Sequence, residues 1–227
     1  GENDTYTGCV LLSFKGATAD IREQLRKEEK KLPQTLLVFE GSSKKTVKVV
    51  VAFTLPDGTL PSMEDAPFFH QHAYYMAARY YEAQLGVAAE KKSPRIDRGC
   101  RISADNSVYL NSDVKPMVMT QPSESLTDAV VKNHPIAGDI HVSHSLPNYD
   151  EEQMKVLKFQ YCYQNSRMEE SGEMDLFLMH LARACQKNGL DEEFAVRRVL
   201  HITPFGDYDQ IVRGCFRNVY SNGELGT

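Results

Sequence analysis

The chain reads as an α+β protein: a strand-rich layer over residues 1–120, then a small helical bundle over residues 150–227. Three observations predict this. Short apolar runs without a helical period alternate with helical text in the first half. Residues 121–149 lose all period and collect Pro, Ser, Asn and Gly, as a linker or lid does. From Asp150 onward the apolar residues recur at helical spacing.

Gly8 to Phe14 (GCVLLSF) is read as a buried strand. Thr18 or Asp20 caps a helix that carries Ile21, Leu25 and the charged face Arg22 to Lys31, and Pro33 follows its end. Gln34 to Glu40 is the second strand. Thr46 to Phe53 (TVKVVVAF), rich in β-branched residues, is the third. Gly41 to Lys45 joins them as a hairpin-like turn, and Pro56-Asp57-Gly58 is another turn. Pro67 to Leu85 is a helix with Phe69, Ala73, Met76, Tyr80 and Ala83 on one stripe, and Gly86 stops it. Gly99 to Ala104 is expected as a fourth strand. The order β-α-β-β-α-β is that of an RRM/ferredoxin-like layer. In the second half, helices are expected at Glu151–Asn165, Met174–Asn188, Glu192–Ile202 with Asp191 as cap, and from Asp207 or Asp209 to Tyr220.

Composition narrows the class. No apolar run approaches the roughly 20 residues that cross a bilayer, so no membrane partner is expected. Five cysteines at 9, 100, 162, 185 and 215 form no CxxC pair. That argues against a disulfide framework or zinc cluster and leads us to expect a cytoplasmic protein. Gly1 in place of Met and the ending Gly226-Thr227 suggest a piece of a longer protein. Net charge is −5, which argues against generic nucleic-acid coating. Residues 1–120 hold 16 basic and 15 acidic residues, residues 121–149 hold 1 and 3, and residues 150–227 hold 9 and 13. A phosphate-binding surface is therefore expected in the first part.

Two basic stretches stand out there. Ser42, Ser43, Lys44, Lys45 and Lys48 lie on or beside the turn between the second and third strands. Small residues let backbone approach an anion and lysines neutralise it. Lys91, Lys92, Arg95, Arg98 and Arg101 form the second stretch. A solvated surface accounts for either alone; together they suggest a shared phosphate path. His70 and His72 point apart on a helix, and His141 and His144 have no third ligand in view, so no metal site is expected. No GxxxxGK[ST], GxSxG or HExxH motif occurs.

The run Arg98-Gly-Cys-Arg-Ile-Ser-Ala-Asp105-Asn-Ser-Val-Tyr109-Leu-Asn111 resembles a signature of the VirE N-terminal family, primase–polymerase-like domains of Bacteroides-type mobile elements. The match holds at Arg98, Cys100, Ser103, Asp105, Tyr109 and Asn111, and departs at Asn106, where the family has proline. Ser42 to Val49 is similar to the family's glycine-containing Ser-Gly-Lys-Gly-Leu-Lys run, with Ser43 and Lys45 replacing the glycines. Phe177 to Gly189 and Val219-Tyr220 are similar to the helical domain that follows primase-like domains.

The resemblance implies a primase-palm-like fold over residues 1–120 and a role in DNA replication of a mobile element. It implies two metal-binding aspartates at the end of the first strand, where this chain has Ser13 and Lys15. Two-metal nucleotidyl transfer needs carboxylates, and a lysine repels a dication. Asp105 survives, but one carboxylate makes no two-metal site. The expectation is a degenerate module that binds nucleic acid or nucleotide without catalysis and without a cofactor. Lys15, Ser42, Ser43, Lys44, Lys45, Lys48, Arg98 and Arg101 would contact phosphates, with Lys15 standing in for the missing metal. One alternative is an active primase or polymerase that assembles Mg²⁺ or Mn²⁺ on Asp97, Asp105 and Glu40. Another is a protein-interaction remnant whose acidic helical half docks a helicase or another replication protein.

Overall fold

The computed structural model describes residues 6–15, 21, 23–24, 32–90, 94–97, 100, 105–106, 108–120, 148–168, 174–202 and 205–222. The chain divides into two compact units. One comprises residues 1–120 with 135–148, and the other residues 121–134 with 149–227. The linker expected over 121–149 lies outside the described residues, apart from Asn148 and Tyr149.

The first unit is built on three long antiparallel strands: β1 (Cys9–Lys15), β2 (Thr35–Glu40) and β3 (Thr46–Thr54). β3 lies between the other two. Its β-branched residues suit that central place, because they pack on both pleated surfaces. Helix α1 (Ala66–Leu85) ends at Gly86, whose φ of 66° takes the left-handed stop expected there. Two short strands follow, β4 (Tyr109–Leu110) on the outer edge of β2 and β5 (Met117–Val118) parallel to the end of β3. Ile21, Glu23 and Gln24 are helical, and the rest of the helix expected before Pro33 lies outside the described residues.

The α+β class and the three long strands fall where the sequence places them. The fourth strand expected at Gly99–Ala104 lies outside the described residues, apart from Cys100; among the described residues, Tyr109 and Leu110 pair with β2. The free edge of β1 is taken by the segment after α1. Phe14 bridges Ala89, and the Glu90 N–H donates to the Ser13 carbonyl at 2.7 Å.

The sheet has two distinct faces. Val10, Leu12, Phe14, Val47, Val49 and Val51 are all buried on one of them, where alternation puts them together. Thr35 lies opposite Val51, and its hydroxyl meets the Tyr81 hydroxyl of α1 at 2.5 Å. This face is therefore the one α1 covers. The other carries Cys9, Leu11, Ser13 and Lys15 from β1, Thr46, Lys48 and Val50 from β3, and Leu37 and Phe39 from β2. A register shift between Thr35 and Leu37 lets those two residues face opposite ways.

The second unit packs α2 (Glu151–Met168), α3 (Met174–Lys187), α4 (Glu192–Leu200), a 3-10 turn (Phe205–Tyr208) and α5 (Asp209–Asn222). Asp191 caps α4 by accepting the Phe194 N–H at 2.8 Å. Phe159, Leu178, Leu181, Val199, Val212 and Phe216 are fully buried in one core. Among the described residues, no helix is long and apolar enough to cross a membrane. All five cysteines are free thiols.

Candidate functional site

The face of the sheet opposite its α1-covered side opens into a cleft of about 830 Å³, within the size range of small-molecule sites. Alternation along the strands builds it. Leu11, Leu37, Phe39 and Val50 line its apolar part, while Ser13, Lys15, Thr46 and Lys48 line the end toward the β2–β3 turn. Gly41, Ser42 and Ser43 of that turn, and Pro94, Arg95, Ile96 and Cys100 from the segment beyond α1, complete this wall.

The polar end is organised by short contacts. Lys48 Nζ donates to Ser13 Oγ, as their direct pairing across β1 and β3 permits. Lys15 Nζ lies 2.7 Å from Glu90 Oε1; the Lys15 side chain is 74% exposed and that of Glu90 11%. Glu90 is held by its backbone on two sides. Besides its N–H bond to Ser13, its carbonyl accepts from the Tyr74 hydroxyl at 2.9 Å. Arg95 makes a two-pronged pair with Asp97 at 2.9 and 2.5 Å. At the margin nearest α1, His70 lines the cleft and its Nδ1 meets the Tyr6 hydroxyl at 2.7 Å. Burial lowers the His70 pKa to about 4 and raises that of Tyr6, so both are neutral near pH 7.

Of the residues the sequence singled out, Ser13, Lys15, Ser42, Ser43 and Lys48 therefore meet in one cleft. Lys44 and Lys45 are exposed on the turn and are not among its described lining residues. Asp105 does other work: its carboxylate accepts the Glu40 N–H at 2.7 Å, at the end of β2. Arg98, Arg101, Lys91, Lys92, His141 and His144 lie outside the described residues. Among the described residues, no three His, Cys, Asp or Glu side chains are grouped to hold a metal.

Two more residues of the signature, Tyr109 and Asn111, also fasten the edge of β2. Tyr109 pairs with Val38, and the Asn111 amide donates to the carbonyls of Thr35 at 3.1 Å and Pro33 at 3.4 Å. Sequence reasoning missed Glu90, whose approach to Lys15 depends on the chain turning back along β1. It also missed Thr46, which alternation with Lys48 would have placed on the same face, and Phe39, which its pairing with Lys48 across β2 and β3 places there.

The fold and cleft define an α+β sheet domain with a basic, serine-lined cleft on one face, followed in the chain by a helical unit. Residues 2–110 match the family model described as BT4734-like, N-terminal domain, a domain family of Bacteroides type. No curated protein and no solved structure matches the chain.

Proposed function

We propose that the first unit is a degenerate primase–polymerase-like module, related to the VirE N-terminal domains, that binds single-stranded nucleic acid or nucleotide through phosphates without transferring nucleotides. The observation that carries this reading is the convergence of Ser13, Lys15, Lys48, Ser42 and Ser43 on one cleft. Cations, hydroxyls and a tight turn are the groups that hold phosphate oxygens. Ser13 and Lys15 stand where the resemblance implies metal-binding aspartates. Glu90 is the one carboxylate among the described lining residues, and it pairs with Lys15. The active-enzyme alternative has less support, since Asp97 is engaged by Arg95 and Asp105 by the Glu40 amide.

The test is fluorescence anisotropy of a labelled single-stranded oligonucleotide across a salt series, with and without EDTA. Affinity should fall steeply with salt, since each phosphate contact releases condensed counterions. Chelation should change nothing. Lys48→Met should weaken binding by about tenfold, the effect of losing one charge-assisted contact worth about 1.5 kcal/mol. Absence of salt-sensitive binding would sink the reading, and binding that vanished with EDTA would return the metal-dependent alternative.

For the second unit we propose a protein partner, such as a helicase or another replication protein. Residues 150–227 hold 9 basic and 13 acidic residues, and Leu176, Tyr208 and Ile211 are exposed there. A pull-down with full chains carrying Leu176→Glu or Ile211→Glu tests this surface; unchanged capture of replication proteins would rule it out.

A further inference from the structure

We propose that Glu90 is a built-in counter-anion: it occupies the phosphate seat at Lys15, and an incoming phosphate must win the ammonium from it. The inference rests on the phosphate-binding reading of the cleft and deepens it. Lys15 and Arg95, both among the described cations that line the cleft, have carboxylate partners within the chain. The two pairs differ in kind. Asp97 has a side chain 60% exposed and shares a local loop with Arg95, so solvent and salt screen it.

Glu90 is fixed. Its N–H is bonded to the carbonyl of Ser13, in the neighbouring strand, and its carbonyl to the hydroxyl of Tyr74, on α1. The preceding Ala89 N–H donates to Glu82 Oε1 at 2.7 Å, which anchors the approach. Only 11% of the Glu90 side chain is exposed, against 74% for Lys15. The lysine is therefore the member that can swing toward a ligand, while the carboxylate stays and repels the phosphate at close range. A poorly screened negative charge beside a phosphate seat lowers affinity for every anion. It also sets a charge threshold, favouring ligands that carry several phosphates over those with one.

The experiment uses the full chain and the labelled single-stranded oligonucleotide. Glu90→Gln keeps the shape and removes the charge. It should bind about fivefold more tightly at low salt, the size expected from releasing one partly exposed ion pair. The slope of log affinity against log salt should steepen by about 0.7, one extra counterion on a single strand. Adding Lys15→Met to Glu90→Gln should return affinity to about that of the unaltered chain, because the pair is neutral either way. If the unaltered chain binds and Glu90→Gln binds no more tightly, the counter-anion role is overturned and the phosphate-binding reading stands. If neither binds, both fail. Should Glu90→Gln not fold, Lys15→Met alone decides: it leaves the fixed carboxylate uncompensated, so affinity equal to that of the unaltered chain overturns the role.

Discussion

Lys44 has φ 56°, inside the left-handed region. A lysine enters that region at a cost of roughly 1–2 kcal/mol, which glycine avoids while losing more chain entropy on folding. Lys44→Gly should therefore raise stability by about 0.5–1 kcal/mol, read from the midpoint of denaturant unfolding. If Lys44 contacts phosphate, the same variant should bind less tightly while being more stable, which separates the two roles. Gly41, three residues earlier, is required for space: a Cβ there would run into Thr46 Oγ1. Gly41→Ala should cost about 1–3 kcal/mol, in the range of overpacked sites.

His72 supplies the pH dependence at this scale. It is buried, its Nε2–H donates to the Thr120 carbonyl at 2.9 Å, and burial, helped by the Arg79 charge, lowers its pKa from 6.5 to about 4. The unfolded chain takes up the proton first as pH falls. The stabilisation is thus fully present above pH 6.5 and is lost on descending from 6.5 through 4. The loss amounts to about 3 kcal/mol for this residue. Thermal unfolding followed from pH 7.5 to 4 should show it, and His72→Gln should flatten the profile.

At the scale of elements, the edge of β2 holds the clearest lesson. The run Arg98 to Asn111 draws attention to Asp105 as a surviving acid. The fold gives Asp105 and Asn111 backbone partners on and beside β2 instead. Asn111→Ala should cost about 1–3 kcal/mol, because two backbone carbonyls lose a donor. It should leave the salt slope of oligonucleotide binding unchanged, and a change in slope would place Asn111 in the binding surface.

Much of this architecture was legible beforehand. The β-branched run of β3, the Gly86 stop of α1 and the Asp191 cap of α4 are local signals, and each falls where its chemistry requires. Alternation also put Ser13 and Lys15 on one face. The register shift beside Leu36 was not legible, because nothing in TLLVFE distinguishes a regular strand from a bulged one. It turns Thr35 to the helix and Leu37 to the cleft, against simple alternation. The position of β4 was hidden for a related reason. Tyr109 and Leu110 are too short a run to signal a strand by themselves, and pairing with β2 makes them one.

For the whole molecule, two cores carry the stability. Leu12, Phe14, Val49 and Phe53 are buried in the first unit, and Leu178, Leu181, Val212 and Phe216 in the second. Leu181→Ala should cost about 2–5 kcal/mol, as a fully buried leucine does when nothing refills its space; a loss under 1 kcal/mol by denaturant unfolding would mean that the helices repack around it.

The short pairings on either side of the sheet have a consequence for behaviour in solution. Ala89 and Glu90 run beside β1, and Tyr109 and Leu110 beside β2. Each covers a row of backbone groups that would otherwise invite a strand from another chain. A concentrated sample of the double variant Asp105→Ala, Asn111→Ala should therefore develop light scattering and thioflavin-positive material long before the unaltered chain does. On this view the short segments fastened along β1 and β2 act as guards against self-association, and their sequences are constrained by solubility as well as by the cleft.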